Sequence, residues 1–225
     1  MTINRRTLLR SSGLLAVAAI PISKALAADC AITPTQTAGP FYPVQDQDDK
    51  DRDLTRVQGQ AGLAAGTVVN LSGVVRQTSC GSAIAGAMVE IWQACATGKY
   101  NHPDDPNTAA LDENFQYWGR VTTDAAGRYS FKTIKPGAYP ADPTWMRPPH
   151  IHFRIVAAGQ PTLVTQMYFA GDPYNARDQI LRQVPAAQRS LVVIPFTEAN
   201  GELTGTFDVL LSRRIGNPDG TPELD

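Results

Sequence analysis

"HIHFRIVAAGQPTLVTQMYFA", residues 150–170, reads as two strands joined by a turn. In its first half Ile151, Phe153 and Ile155 alternate with His150, His152 and Arg154. That is the period of a half-buried strand, so both histidines face one way and the apolar residues face a core. "AGQP" (158–161) supplies the turn, and "TLVTQMYFA" (162–170) returns as the second strand of a hairpin. Pro148 and Pro149 hold the approach extended. The result is two imidazoles on one stiff edge, which suits a shared metal ion. Two polar residues on an ordinary strand would look the same.

Similar short runs flank this hairpin. They are "TVVNLSGVVR" (67–76), "GAMVEIWQA" (86–94), "YWGRVTT" (117–123), "SLVVIPF" (190–196) and "LTGTFDVLL" (203–211). "YWGRVTT" leads into "DAAGRYSFKTI" (124–134) as an expected hairpin turning at Asp124–Gly127, and another turn is expected at Asn200-Gly201. One helix is expected at "NARDQILRQV" (175–184). With 18 glycines and 17 prolines in 225 residues, the chain reads as all-β, a single β-sandwich of about eight strands with one short helix. Three loops, 30–66, 99–116 and 135–149, are longer than such a sandwich needs, and long loops in compact domains usually carry function.

The chain opens differently. Arg5 and Arg6 precede an apolar, charge-free run and the small-residue site Ala25-Leu26-Ala27. The run is too short for a permanent membrane span, and the pattern is that of a twin-arginine export signal over residues 1–28, with an ordinary secretory signal as the competing reading. A periplasmic or secreted domain, residues 29–225, is therefore expected, with no membrane span in its mature form. The basic residues are scattered and no polybasic run occurs, so no nucleic-acid surface is expected. Export permits disulfides. Of Cys30, Cys80 and Cys95, the first two flank turns and are expected to pair, while Cys95 lies in an apolar strand and is expected to be buried. Three free thiols is the competing reading.

Two histidines need further ligands to hold a metal. Tyr100 in "ATGKY" and Tyr139 in "KPGAYP" lie in loops able to converge on the His150/His152 strand. A phenol, with a pKa near 10, is a poor ligand for a weakly acidic metal, whereas ferric iron can displace its proton. Two tyrosines and two histidines thus favour Fe(III). A zinc site made of His102, His150 and His152 is the alternative.

"GAMVEIWQACATGKY", "GRYSFKTIKPGAYP", "WMRPPHIHFRI" and "TQMYFAGDP" together, and in this order, resemble the intradiol ring-cleavage dioxygenases, in particular their protocatechuate-cleaving branch. The resemblance runs from about Thr37 to Gly171. It implies a non-haem Fe(3+) held by Tyr100, Tyr139, His150 and His152. It implies that Arg147 and Gln166 lie beside the ion and stabilise charge on the reacting substrate, and that Tyr139 is displaced by that substrate and helps take up a proton. The implied reaction cleaves a protocatechuate-like catechol with O2 between its two hydroxyl-bearing carbons, giving a cis,cis-muconate type diacid. A homo-oligomer is expected. "QTAGPFYP" resembles a segment that walls the substrate pocket, with Thr37, Gly39 and Tyr42 in that role. The chain departs from the family at Ala141, where a pocket-lining tryptophan is usual, and at Cys95, and both departures bear on substrate range. Some of the same stretches also resemble prealbumin-like sandwich domains, which carry no metal, so a binding module without catalysis is the second reading.

Overall fold

The computed structural model describes residues 31–77 and 81–212. The expected export signal and the expected Cys30–Cys80 pairing lie outside the described residues. Cys95 is buried and unpaired, as its apolar setting implied.

The all-β expectation holds, but one sandwich of about eight strands does not. Among the described residues there are twelve strands in three sheets. In the first sheet β1 (Val68–Gln77) is central, flanked by β4 (Arg128–Ile134) on one side. On its other side run β11 (Glu202–Thr206) and β12 (Val209–Leu211), both parallel to it, with β10 (Phe196–Ala199) outside β11. The second sheet has the order β3 (Trp118–Thr122), β2 (Met88–Trp92), β7 (His150–Val156), β8 (Leu163–Phe169), β9 (Val193–Ile194). The third is a small hairpin of β5 (Tyr139–Asp142) and β6 (Trp145–Arg147).

The extra strands have local causes. The run 190–196 divides because Pro195 has no N–H to continue a ladder. Residues before it pair with β8 and residues after it pair with β11, so the chain changes sheet there. The run 203–211 divides at Phe207 and Asp208. The Asp208 carboxylate accepts the Val74 N–H (2.8 Å), and the Phe207 carbonyl presses so closely on Gly73 that no Cβ would fit there. The loop 135–149 contains β5 and β6 because Asp142 accepts the Thr144 N–H (2.7 Å) and closes a tight turn.

Two expected connections also differ. The turn at Asp124–Gly127 forms, with Asp124 accepting the N–H groups of Ala126 and Arg128 (both 2.8 Å) and Gly127 at φ +71°. It does not make a hairpin, because β3 pairs with β2 while β4 pairs with β1. The expected helix over 175–184 is a 3-10 turn, Asn175–Arg177, followed by the short helix α1, Gln179–Gln183. Asp178 breaks it with extended backbone (ψ 121°) and caps α1 by accepting the Ile180 N–H. The 150–170 hairpin forms as read, in antiparallel register from His150↔Tyr168 to Ile155↔Leu163.

Alternate residues of these strands make one core. Val69 and Leu71 of β1, Phe131 of β4, Ile91 of β2 and Ile151, Phe153 and Ile155 of β7 all belong to it. Phe153 packs edge-on against Phe207, joining the second sheet to the first (4.8 Å between ring centres). The other face of β2 and β7 carries a second cluster, Trp92, Ala94, Tyr100, Trp118 and Tyr139, covered by Phe41 and Tyr42. No helix of the described residues is long and apolar enough to cross a membrane.

Candidate metal centre and active site

Because β7 alternates, burying Ile151 and Phe153 in the core turns His150 and His152 to the opposite face. Both histidines are nonetheless buried, at 1% and 2% exposure, because the segment before β1 crosses over them. Gly39 in that segment sits at φ +68°, where a Cβ would stand 3.3 Å from the His152 ring. The His152 ring stacks on Trp92, its cross-strand neighbour on β2, with 4.8 Å between centres and planes 9° apart. The His150 Nδ1–H donates to the Pro148 carbonyl (2.7 Å), which leaves Nε2 with its lone pair.

Tyr100 arrives from the loop after β2, fixed by its N–H donating to Asp105. Its Oη lies 3.3 Å from His150 Nε2 and 3.2 Å from His152 Nε2, and the two Nε2 atoms are 3.1 Å apart. Tyr139, the first residue of β5, completes the group, its ring 5.6 Å from that of Tyr100 and 5.8 Å from that of His150. The four residues come together from three separate stretches of chain.

This donor set fits a hard cation. N and O ligands bonded to one metal ion at about 2.0–2.2 Å stand roughly as far apart as these three atoms do. Burial, and then the nearby Arg147 charge, hold both histidines well below their ordinary pKa, so they are neutral with lone pairs available. Burial pushes the phenols of Tyr100 and Tyr139 up, so neither ionises unless a strong cation displaces the proton. Ferric iron has that property. The zinc alternative loses its third ligand: among the described residues no three His, Cys, Asp or Glu side chains converge to hold an ion, and His102 packs against Phe41 instead.

Arg147 ends β6 opposite Tyr139 and is 3% exposed. It donates to Gln166 Oε1 (2.6 Å) and, through Nε, to Asp178 (3.2 Å). Gln166 also donates to the Thr37 carbonyl (2.8 Å), and the Tyr168 hydroxyl lies within bonding distance of both Gln166 and Gln36. Sequence reasoning found Arg147 and Gln166 but missed Asp178, Tyr168, Gln36 and Trp92. A signal existed for Asp178, since Asp just before an apolar-periodic run is a common helix cap.

Tyr139 and Arg147 also form part of the wall of a cavity of about 1080 Å³, shared with Thr37, Gly39 and Phe41. Of the expected wall residues, Thr37 and Gly39 lie on it, while Tyr42 packs edge-on against Trp92 behind it. Ala141 and Trp145 close it from the β5–β6 hairpin.

Comparison with known proteins is consistent with this arrangement. The model of a protein family described as "Dioxygenase" matches residues 37–212. The protocatechuate 3,4-dioxygenase beta chain of Burkholderia cepacia is 41% identical over 186 residues, covering 80% of this chain and 79% of that one. A chlorocatechol 1,2-dioxygenase of Rhodococcus opacus is 34% identical over 145 residues, 58% of this chain and 52% of that one. Among solved structures, catechol 1,2-dioxygenase from Pseudomonas arvilla C-1 superposes with a TM-score of 0.62 at 28% identity, covering 85% of this chain and 65% of that one. The dioxygenase domain of a carbohydrate-binding fusion protein from Streptomyces sp. SirexAA-E superposes with a TM-score of 0.60 at 28% identity, covering 81% and 99%.

Proposed function

This chain belongs to the intradiol ring-cleavage dioxygenases, and from that membership we propose that it cleaves a catecholic aromatic between its two hydroxyl-bearing carbons with O2. The proposal includes a non-haem Fe(III) held by Tyr100, Tyr139, His150 and His152, and a cis,cis-muconate type diacid as product. The observation that carries it is the convergence of Tyr100 Oη with the Nε2 atoms of His150 and His152 within 3.3 Å, beside a cavity walled by Tyr139 and Arg147. A binding module without catalysis has no use for that convergence.

Ferric iron held by Tyr100, Tyr139, His150 and His152 would supply the positive charge that keeps the phenols ionised and favours the deprotonated form of a catechol. The protein supplies the rest. Tyr139 belongs both to the donor group and to the cavity wall, so it is the residue assigned to take the proton of an entering catechol hydroxyl. The Arg147 guanidinium keeps its charge at any working pH and faces the negative charge that the ring gains on losing its protons. Gln166 fixes the orientation of Arg147 through their 2.6 Å bond. Thr37, Gly39 and Phe41 wall the cavity on the side of the segment before β1. The N-terminal pattern supports an exported enzyme, for which a cofactor loaded before export is an advantage.

The test is a visible absorption spectrum of purified protein with iron quantified on the same sample. Iron-loaded protein is expected to show a broad visible band that shifts when catechol is added under nitrogen. Tyr100→Phe and Tyr139→Phe are each expected to alter that band. A colourless protein at full iron occupancy would overturn the reading.

A further inference from the structure

We propose that this site selects catechols whose ring substituent is bulky and uncharged, and discriminates against catechols carrying a ring carboxylate. The proposal rests on the dioxygenase reading and narrows it. Protocatechuate, the substrate named for the Burkholderia relative, carries such a carboxylate.

The argument is one of charge and space. Among the residues lining the cavity only three are charged: Asp105, Asp142 and Arg147. Arg147 has its Nε on Asp178 and one terminal nitrogen on Gln166, and its remaining charge faces the ring oxygens in the proposed reaction, so it is not a second cation for a carboxylate on the far side of the ring. Lys99 is turned away, its ammonium on the carbonyl of Asn107, and it lines a neighbouring cavity. The two remaining charges are carboxylates. Asp142 is exposed at the tip of the β5–β6 hairpin, where bonds from Thr144 hold its carboxyl below the ordinary range, so it is ionised whenever a substrate carboxylate is. A substituent carboxylate entering here loses water, gains no cation beyond the one already facing the ring oxygens, and meets like charge.

Space points the same way. A cavity of about 1080 Å³ is the size that takes a drug-sized ligand, far larger than one catechol ring requires. Apart from the carboxylates and a few small polar residues, its wall carries the apolar side chains of Phe41, Pro106, Ala141, Pro143, Trp145 and Ile180. Ala141 leaves open the volume that a larger side chain would fill. Trp145, opposite Asp142 in the hairpin register, presents a flat surface to an alkyl or aryl substituent.

The experiment uses the iron-loaded protein and measures O2 uptake with catechol, 4-methylcatechol, 4-tert-butylcatechol and protocatechuate. Binding of the same four compounds is followed under nitrogen by tryptophan fluorescence. The proposal predicts kcat/KM for 4-tert-butylcatechol above that for protocatechuate by about tenfold or more, with binding in the same order. Asp142→Lys is predicted to raise the protocatechuate to 4-tert-butylcatechol ratio, and Ala141→Trp to lower use of the bulky compound most. Equal or better use of protocatechuate by the unaltered protein would overturn this inference while leaving the dioxygenase reading intact. No O2 uptake with any catechol, and no visible band, would overturn that reading and this inference with it.

Discussion

Arg147 and Asp178 form an ion pair in which both side chains are buried, the guanidinium Nε 3.2 Å from the carboxylate Oδ2. The other oxygen of Asp178 caps α1. One carboxylate therefore fixes both the helix start and the charge facing the cavity. Removing one partner of a buried pair leaves the other uncompensated, at a cost of about 3–5 kcal/mol. Asp178→Asn is expected to lower stability by that order, read by denaturant unfolding. It is also expected to lower kcat/KM by roughly a hundredfold as Arg147 loses its orientation. Arg147→Lys is not expected to substitute, since an ammonium lacks the planar fork that reaches Gln166 and Asp178 together.

Gly39 is the second point where backbone controls the site. Its φ of +68° costs an L-residue about 1–2 kcal/mol, and a Cβ there would stand 3.3 Å from the His152 ring. Gly39→Ala is expected to destabilise the protein by that amount and to tilt His152 off Trp92. The second effect is separable from the first, because it moves the visible band of the iron-loaded protein while a purely structural loss would not.

The tyrosines give a third test. Tyr139 reaches the cavity, whereas Tyr100 stands behind it among the histidines. Tyr139→Phe is expected to retain iron and lose turnover, and Tyr100→Phe to lose iron itself, measured by metal content after dialysis. Chelation of the unaltered protein is expected to remove colour and activity together. It should also lower the unfolding midpoint, since an ion present at about a hundred times its dissociation constant stabilises by roughly 2.7 kcal/mol.

The His150–His152 strand was legible in the sequence because a pleat leaves no choice: with Ile151 and Phe153 in the core, the histidines must share the other face. By local pattern Tyr100 and Tyr139 were legible only as donor types in long loops, since nothing local fixes where a loop folds back, and it was the resemblance that tied them to the histidines. The turn at Asp124–Gly127 was read correctly as a turn and wrongly as a hairpin. Its hydrogen bonds are local, and whether the flanking strands pair is decided by β1 and β2 elsewhere in the chain. Asp178 was legible at most as a helix cap, and its tie to the site was hidden for a related reason. Its flanking residues have helical periodicity, and the partner that holds it out of the helix, Arg147, is distant in sequence.

The neutral histidines set the pH behaviour of the metal-free protein. Burial and the Arg147 charge depress both pKa values well below the ordinary 6.5 in the folded state. Above that value neither state binds a proton at these rings, and stability is complete. As pH falls through it, the unfolded chain takes up protons that the folded protein refuses, so stability drops by up to about 1.4 kcal/mol per pH unit for each histidine. The urea midpoint of chelated protein is therefore expected to change little above about pH 7 and to fall steeply as pH drops below about 6.5. His152→Gln removes one of the two groups and is expected to flatten that fall by about half. An unchanged slope in this variant would mean that the ring at residue 152 is not held neutral.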